Sequence, residues 1–245
     1  MKQILIFISV TIALISNKAA CAQGNYTDEI YPVTVRQQLT PASSAATLKQ
    51  AVLTACRMKR DSDIRLKDIS QVTFFKTVLV KAMGRVQVFL VKYGDSLPAD
   101  YDRDGFLFVD NRAHHYFLIT LSELKPVKVK ASDHAYFLAG IYKRRGYGVF
   151  KIFNWSGKAL TNIFQSPDFV SNSSLDCITY RHDDLKFENT DRNADGYLDL
   201  YFHGIANYYC NGGENSGRLD RKPRRSKPIA FTYYFDPIKK TWSKK

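Results

Sequence analysis

Glutamate is nearly missing from this 245-residue chain, which holds four (Glu29, Glu123, Glu188 and Glu214) against 19 aspartates. Surface helices draw on Glu for its helix propensity, whereas Asp serves turns and metal loops, so the composition argues against an all-helical bundle and for a β-rich domain. Cysteine is also scarce, with four residues and no CxxC pair, which leaves structural zinc and thioredoxin-like chemistry without support. The histidines, His114, His115, His134, His182 and His203, show no HExxH or other metal spacing, and no GxSxG elbow is present, so the common zinc and serine hydrolase motifs are absent. A long hydrophobic run is lacking too. The apolar stretch from Ile4 to Ser16 has thirteen residues, short of the about 20 that span a bilayer as a helix.

What remains is an aromatic, basic and globular composition. Phe and Tyr number 16 and 15, hydrophobic residues make up 45%, the net charge is +13 and the mean hydropathy is -0.28. Wholesale disorder, collagen and a multi-span membrane protein do not fit these values, while aromatic enrichment favours strands. Lys2, the Ile4–Ser16 stretch and the small-residue site Ala20-Cys21-Ala22 together predict a signal peptide over residues 1–22, cleaved before Gln23. Lipid attachment at Cys21 is the alternative, although Lys18 stands where a lipobox has Leu. Removal of Lys2 and Lys18 lowers the net charge to +11, and the expected location is the periplasm or the exterior, with no transmembrane anchor. In that oxidising setting Cys177 and Cys210, which flank the loop described below, are expected to form a disulfide, and Cys56 to be a buried thiol.

After an extended lead-in, Ser43 or Ser44 caps an expected helix over residues 44–59, in which Leu48, Val52, Ala55 and Cys56 repeat at helical spacing. Short β runs follow: Val72–Val80, Val86–Val91, Tyr116–Leu121, Val127–Val129, Ala135–Tyr142, Val149–Asn154, Ala159–Phe164, Cys177–Tyr180, Leu185–Glu188, Tyr197–His203 and Ile229–Phe235. Gly, Asp and Asn punctuate them. The Lys143-Arg144-Arg145-Gly146 and Trp155-Ser156-Gly157-Lys158 turns join three successive runs into a meander. The expected fold is all-β, mainly antiparallel, propeller-like or a sandwich, with one N-terminal helix, and residues 23–245 form a single domain.

The strongest motif is Asp191-Arg192-Asn193-Ala194-Asp195-Gly196-Tyr197-Leu198-Asp199. Oxygen-bearing side chains at alternate positions, with Gly at the reversal, suit a calcium ion that takes six to eight oxygens. The expected ligands are Asp191, Asn193, Asp195, the backbone carbonyl of Tyr197, and Asp199. Phe202 occupies the twelfth position, where an EF-hand has Glu, and a strand reading of the flank replaces the second helix. Asp191, Asn193, Asp195, Gly196, Asp199 and Leu200 resemble the FG-GAP and VCBS type of repeat, which implies calcium bound between strands of a propeller blade. The order Asp195 to Leu200, Gly204, Tyr233-Tyr234-Phe235-Asp236 and Trp242 resembles the C-terminal part of small periplasmic calcium-loop β-proteins of Gram-negative bacteria. That resemblance implies an inhibitor or immunity protein against a cell-wall hydrolase or toxin; the insertion from Asn211 to Lys227 departs from it. A weaker second loop, Asp100, Asp102 and Asp104 before Gly105, has Phe108 in the ninth position, so Asp110 would complete it only in an irregular loop.

Arg218, Arg221, Lys222, Arg224, Arg225 and Lys227, with Asp220 alone in opposition, form a basic stretch that reads either as a solvated loop or as a site for an anionic partner such as a glycan. Nucleic acid is not expected for an exported chain without a binding motif. Three functions follow in order: a non-enzymatic binding protein with a protein partner, a module for glycan or anionic surface polymer, and a hydrolase without a recognisable motif. For the third, His182-Asp183-Asp184 and the nearby Glu188 are the polar groups available.

Overall fold

A computed structural model describes residues 29–58, 64–95, 104–144, 147–166, 170–172, 179–181, 185–209 and 225–244. The predicted leader over residues 1–22 lies outside them. Two short strands, β1 (Glu29–Ile30) and β2 (Val33–Thr34), precede α1 (Ala45–Met58) and a 3-10 turn (Leu66–Asp68). Then come β3 (Ile69–Val80), β4 (Gly84–Tyr93), β5 (Asp104–Asp110) and β6 (His115–Ile119). A second run holds β7 (Glu123–Val127), β8 (Phe137–Arg144), β9 (Tyr147–Trp155) and β10 (Leu160–Gln165). The last comprises β11 (Val170–Asn172), β12 (Thr179–Arg181), β13 (Lys186–Thr190), β14 (Asp199–Tyr209), β15 (Arg225–Asp236) and β16 (Thr241–Ser243).

These strands make three antiparallel sheets. Sheet I has the order β2-β6-β5-β4-β3, sheet II the order β1-β10-β9-β8-β7, and sheet III the order β11-β12-β14-β15-β16. β13 also pairs with β14, lying against Asp199–His203 while β12 takes residues 207–209 of the same strand. β3 to β6 and β7 to β10 are each an up-and-down meander, and the β8–β9–β10 part of the second is the one its turn chemistry predicts. The sheets stack through alternation along each strand. In sheet II, Leu138, Tyr142, Val149 and Phe153 meet Val86, Val88, Phe106 and Phe117 of sheet I. Their neighbours Ala139, Ile141, Phe150 and Ile152 meet Leu200, Phe202, Tyr233 and Trp242 of sheet III. Burying such side chains from water contributes about 1.5–3 kcal/mol each, so sheet II, covered on both faces, ties the stack together.

The fold is thus all-β with one helix. Blade-like meanders stack face to face, and no sheet closes into a barrel among the described residues. The helix is packed into this stack: Leu48, Val52, Ala55 and Cys56 bury against Phe89, Val91, Leu107 and Tyr116 on the outer face of sheet I. Ser44 is its N-cap, its Oγ accepting Thr47 N at 3.2 Å, while Ser43 Oγ accepts Thr40 N at 2.9 Å. The lead-in contributes β1 to the edge of sheet II and β2 to the edge of sheet I, strapping the two sheets together. Among the described residues, no helix is long and apolar enough to cross a membrane.

Candidate metal loop and its surroundings

The pair Thr190 and Asp199 closes the β13–β14 connection, and the acidic motif fills it. Two positive backbone φ angles reverse the chain, 60° at Ala194 and 84° at Gly196. A left-handed conformation suits Gly, and Ala tolerates it at a cost of roughly 1–2 kcal/mol. The carboxylates hold the loop by accepting N–H groups. Asp191 takes Asp195 N at 3.2 Å on Oδ1 and Gly196 N at 2.8 Å on Oδ2. Asp195 Oδ1 takes Tyr197 N at 2.9 Å, and its Oδ2 takes Asn193 Nδ2 at 2.9 Å.

Asp199 differs from the others in being fully buried, at 0% exposure, whereas Asp191 to Gly196 are exposed. Its Oδ2 accepts Arg192 N at 2.9 Å and its Oδ1 accepts Phe235 N of β15 at 3.0 Å. Among the described residues no cationic side chain pairs with it. A buried carboxylate without a counter-charge is costly. Around it, Leu198 N donates to Val129 O at 2.7 Å, Trp242 Nε1 donates to Leu198 O at 2.9 Å, and Asn189 bridges Asp199 O and Lys128 N. The loop is therefore rooted at the junction of sheets II and III.

No group of three or more His, Cys, Asp or Glu side chains is arranged to hold a metal among the described residues. The donor set nevertheless fits a hard cation. An ionised carboxylate offers about four lone-pair sites, so Asp191 and Asp199, each with two N–H donors, retain acceptor capacity. Asn193 adds a neutral oxygen.

The second acidic stretch is divided. Asp100 and Asp102 lie outside the described residues, and Asp104 opens β5 opposite Lys92. Asp110 does not complete it. It sits at the far end of β5, about 20 Å away at roughly 3.4 Å per residue, buried, with its Oδ1 accepting Arg112 N at 3.0 Å and Ala113 N at 3.3 Å in the turn to β6. Phe108 is core, as is all of the Phe106–Val109 run.

Arg225 and Lys227 begin β15 opposite Tyr208 and Ala206. Both are exposed, and their two-residue spacing puts them on one face. Arg218, Arg221, Lys222, Arg224, Cys177, Cys210 and the His182–Asp184 cluster lie outside the described residues. Cys56 is buried on α1, its Sγ 3.8 Å from the Tyr93 hydroxyl. Glu188 Oε1 contacts His203 Nε2 at 3.0 Å across β13 and β14.

That contact belongs to a surface the sequence reading missed. On the outer face of sheet III an open groove of about 690 Å³ is lined by Lys186, Tyr201, His203, Ile205, Pro228 and Ala230. The Tyr201 and His203 rings stack at 4.9 Å and 17°, and the Arg192 guanidinium lies 4.1 Å from the Tyr201 centroid. The signal available was the alternation of β14, in which Leu200 and Phe202 point inward and Tyr201 and His203 outward. Comparison with protein-family models, curated proteins and solved structures gives no match to this chain.

Proposed function

We propose that this chain is an exported, non-enzymatic binding protein of the FG-GAP and VCBS kind, in which calcium stiffens the Asp191–Asp199 loop. Asp191, Asn193, Asp195, Asp199 and the Tyr197 carbonyl would hold the ion, which supplies charge compensation and no chemistry. The observation that carries the reading is Asp199, a fully buried carboxylate whose side-chain bonds, among the described residues, run to the backbone of its own loop and of β15. A cation there would neutralise that charge and lock β13, β14 and β15 in one arrangement, fixing the surface they present. The partner in this reading is a protein, a cell-wall hydrolase or toxin met in the periplasm or outside the cell.

A second reading, an anionic glycan module, is favoured by the groove on sheet III, where stacked Tyr201 and His203 stand beside Lys186 and Arg192. One assay separates these readings from a hydrolase: the turbidity of isolated cell wall with and without lysozyme, each in calcium and in EDTA. The binding-protein reading expects slower lysozyme-driven clearing in calcium only. Co-sedimentation with wall and unchanged clearing would favour the glycan reading, and clearing by the protein alone would overturn both.

A further inference from the structure

Of the seven large hydrophobic side chains exposed among the described residues, three lie on β3: Phe74, Phe75 and Leu79, at 38%, 47% and 40%. β3 has twelve residues and is the outermost strand of sheet I. A long apolar edge is a ready template for another strand, and proteins ordinarily blunt such edges with charge or Pro. We infer that the outer edge of β3 is a docking strand for an extended peptide segment of a partner, one that alternates apolar and acidic side chains. The inference deepens the protein-binding reading without depending on calcium.

Three observations identify the occupant. First, the end of this edge already takes a bridge from the chain's own backbone. Tyr136 N donates to Leu79 O at 2.7 Å and Lys81 N donates to Tyr136 O at 3.4 Å, a parallel bridge at the end of β3. The Leu79 carbonyl therefore points away from β4, and by strand alternation the backbone of Thr77 has the same outward orientation. Second, the exposed rings flank the edge on both faces. The register slips between Phe74 and Lys76, making Phe75 the bulged residue. Phe74 packs edge-on at 5.7 Å against Phe89 in the helix-side core, and Phe75 lies 5.6 Å from Phe106 in the core shared with sheet II. Leu79 is on the face opposite Val78 and Val80, the face of Phe74. A membrane surface would engage one face, whereas an added strand sends successive side chains to both.

Third, charge selects the segment. The β3–β4 hairpin from Ile69 to Tyr93 carries Lys76, Lys81, Arg85 and Lys92 and no Asp or Glu. The Lys76 ammonium lies 5.1 Å from the Phe75 ring centroid. Two copies of this basic edge repel each other, so a second copy of the chain fits poorly. An acidic strand gains both steering and register.

The test uses the mature chain and a capped, fluorescein-labelled octapeptide of alternating Val and Glu, read by fluorescence anisotropy in calcium and in EDTA. Comparators are the Val and Lys octapeptide, a Val and Glu octapeptide N-methylated at alternate amides, and phosphatidylglycerol vesicles. The Glu peptide should bind. Lys76→Glu, Thr77→Pro, the Lys peptide and N-methylation should each weaken binding at least about tenfold, as expected for loss of a central contact. Thr77→Pro removes one outward N–H and keeps both rings, and melting curves confirm that each variant is folded. Absence of binding at about 1 mM, indifference to N-methylation or to both variants, vesicle binding in place of peptide binding, or a dimer abolished by Thr77→Pro would overturn the inference. Peptide binding without lysozyme inhibition would leave this site standing and remove lysozyme as the partner.

Discussion

At the scale of single residues, burial makes Asp199 and Tyr116 the most informative side chains. Asp199→Asn keeps the volume but turns an amide N–H₂ toward the N–H of Arg192 or Phe235, leaving a buried donor opposite a donor. Loss of one such charge-assisted bond should lower stability by about 1.5–3 kcal/mol in urea titrations, and an unchanged midpoint would show that the loop does not depend on it. Tyr116 donates its hydroxyl to the Gln37 carbonyl, and burial pushes its pKa up from the ordinary 10.0 to about 12. The folded chain thus holds this proton more tightly than the unfolded chain, so the associated stability is complete below pH 10 and is lost as pH rises toward about 12. Burial raises Tyr233 in the same direction. The urea midpoint should therefore fall more steeply between these pH values in the unmodified protein than in Tyr116→Phe, and equal slopes would contradict the assignment. Spacing alone marks out Asp191, Asn193, Asp195 and Asp199 as a set. The bond from Phe235 to Asp199 is not visible there, because it joins residues 36 apart in sequence and exists only once β15 lies beside β14.

At the scale of elements, legibility follows exposure. The β8–β9–β10 meander reads directly, because turn residues interrupt its runs; Gly157 takes the φ of +90° that the second turn requires. β5 is missed. Buried on both faces between β4 and β6, its Phe106–Val109 run is continuously apolar and lacks the alternation of a half-buried strand, and the aspartates before it draw the eye to a loop. β7 is placed at Val127–Val129 by its valines yet runs from Glu123 to Val127, and it carries Pro126 because it is the edge of sheet II. Gly140 of β8 shows how closely that edge is seated, since an added Cβ would stand 2.1 Å from the Glu123 carbonyl and 2.9 Å from Leu121 Cδ1. Gly140→Ala must push β7 away from β8, at a cost of about 1–3 kcal/mol or more. Hydrogen exchange should report lost protection in β7 before other strands, and a variant as stable as the parent would mean that the approach is looser than described.

At the scale of the whole molecule, three stacked sheets and a helix give one continuous scaffold with two unlike surfaces at its outer sheets. Sheet I offers a basic, apolar edge at β3, and sheet III offers the groove beside Tyr201 and His203. The expectation of an all-β fold with one helix follows from local residue chemistry, but the order of the stack does not. It depends on which alternating face of sheet II meets which neighbour, and single strands do not encode that choice. Between sheets II and III the acidic loop is the joint, tied to Val129, Trp242 and Phe235. A ligand bound only by the folded chain stabilises it by mass action, by about 2.7 kcal/mol at a hundred times its dissociation constant. The most direct test of the calcium-stiffened scaffold is therefore the melting temperature of the protein and of Asp195→Ala, each recorded in calcium and in EDTA. The proposal expects calcium to raise the melting temperature of the unmodified protein by several degrees and to leave Asp195→Ala unmoved; coincident curves for the unmodified protein, or an equal calcium response in the variant, would contradict it.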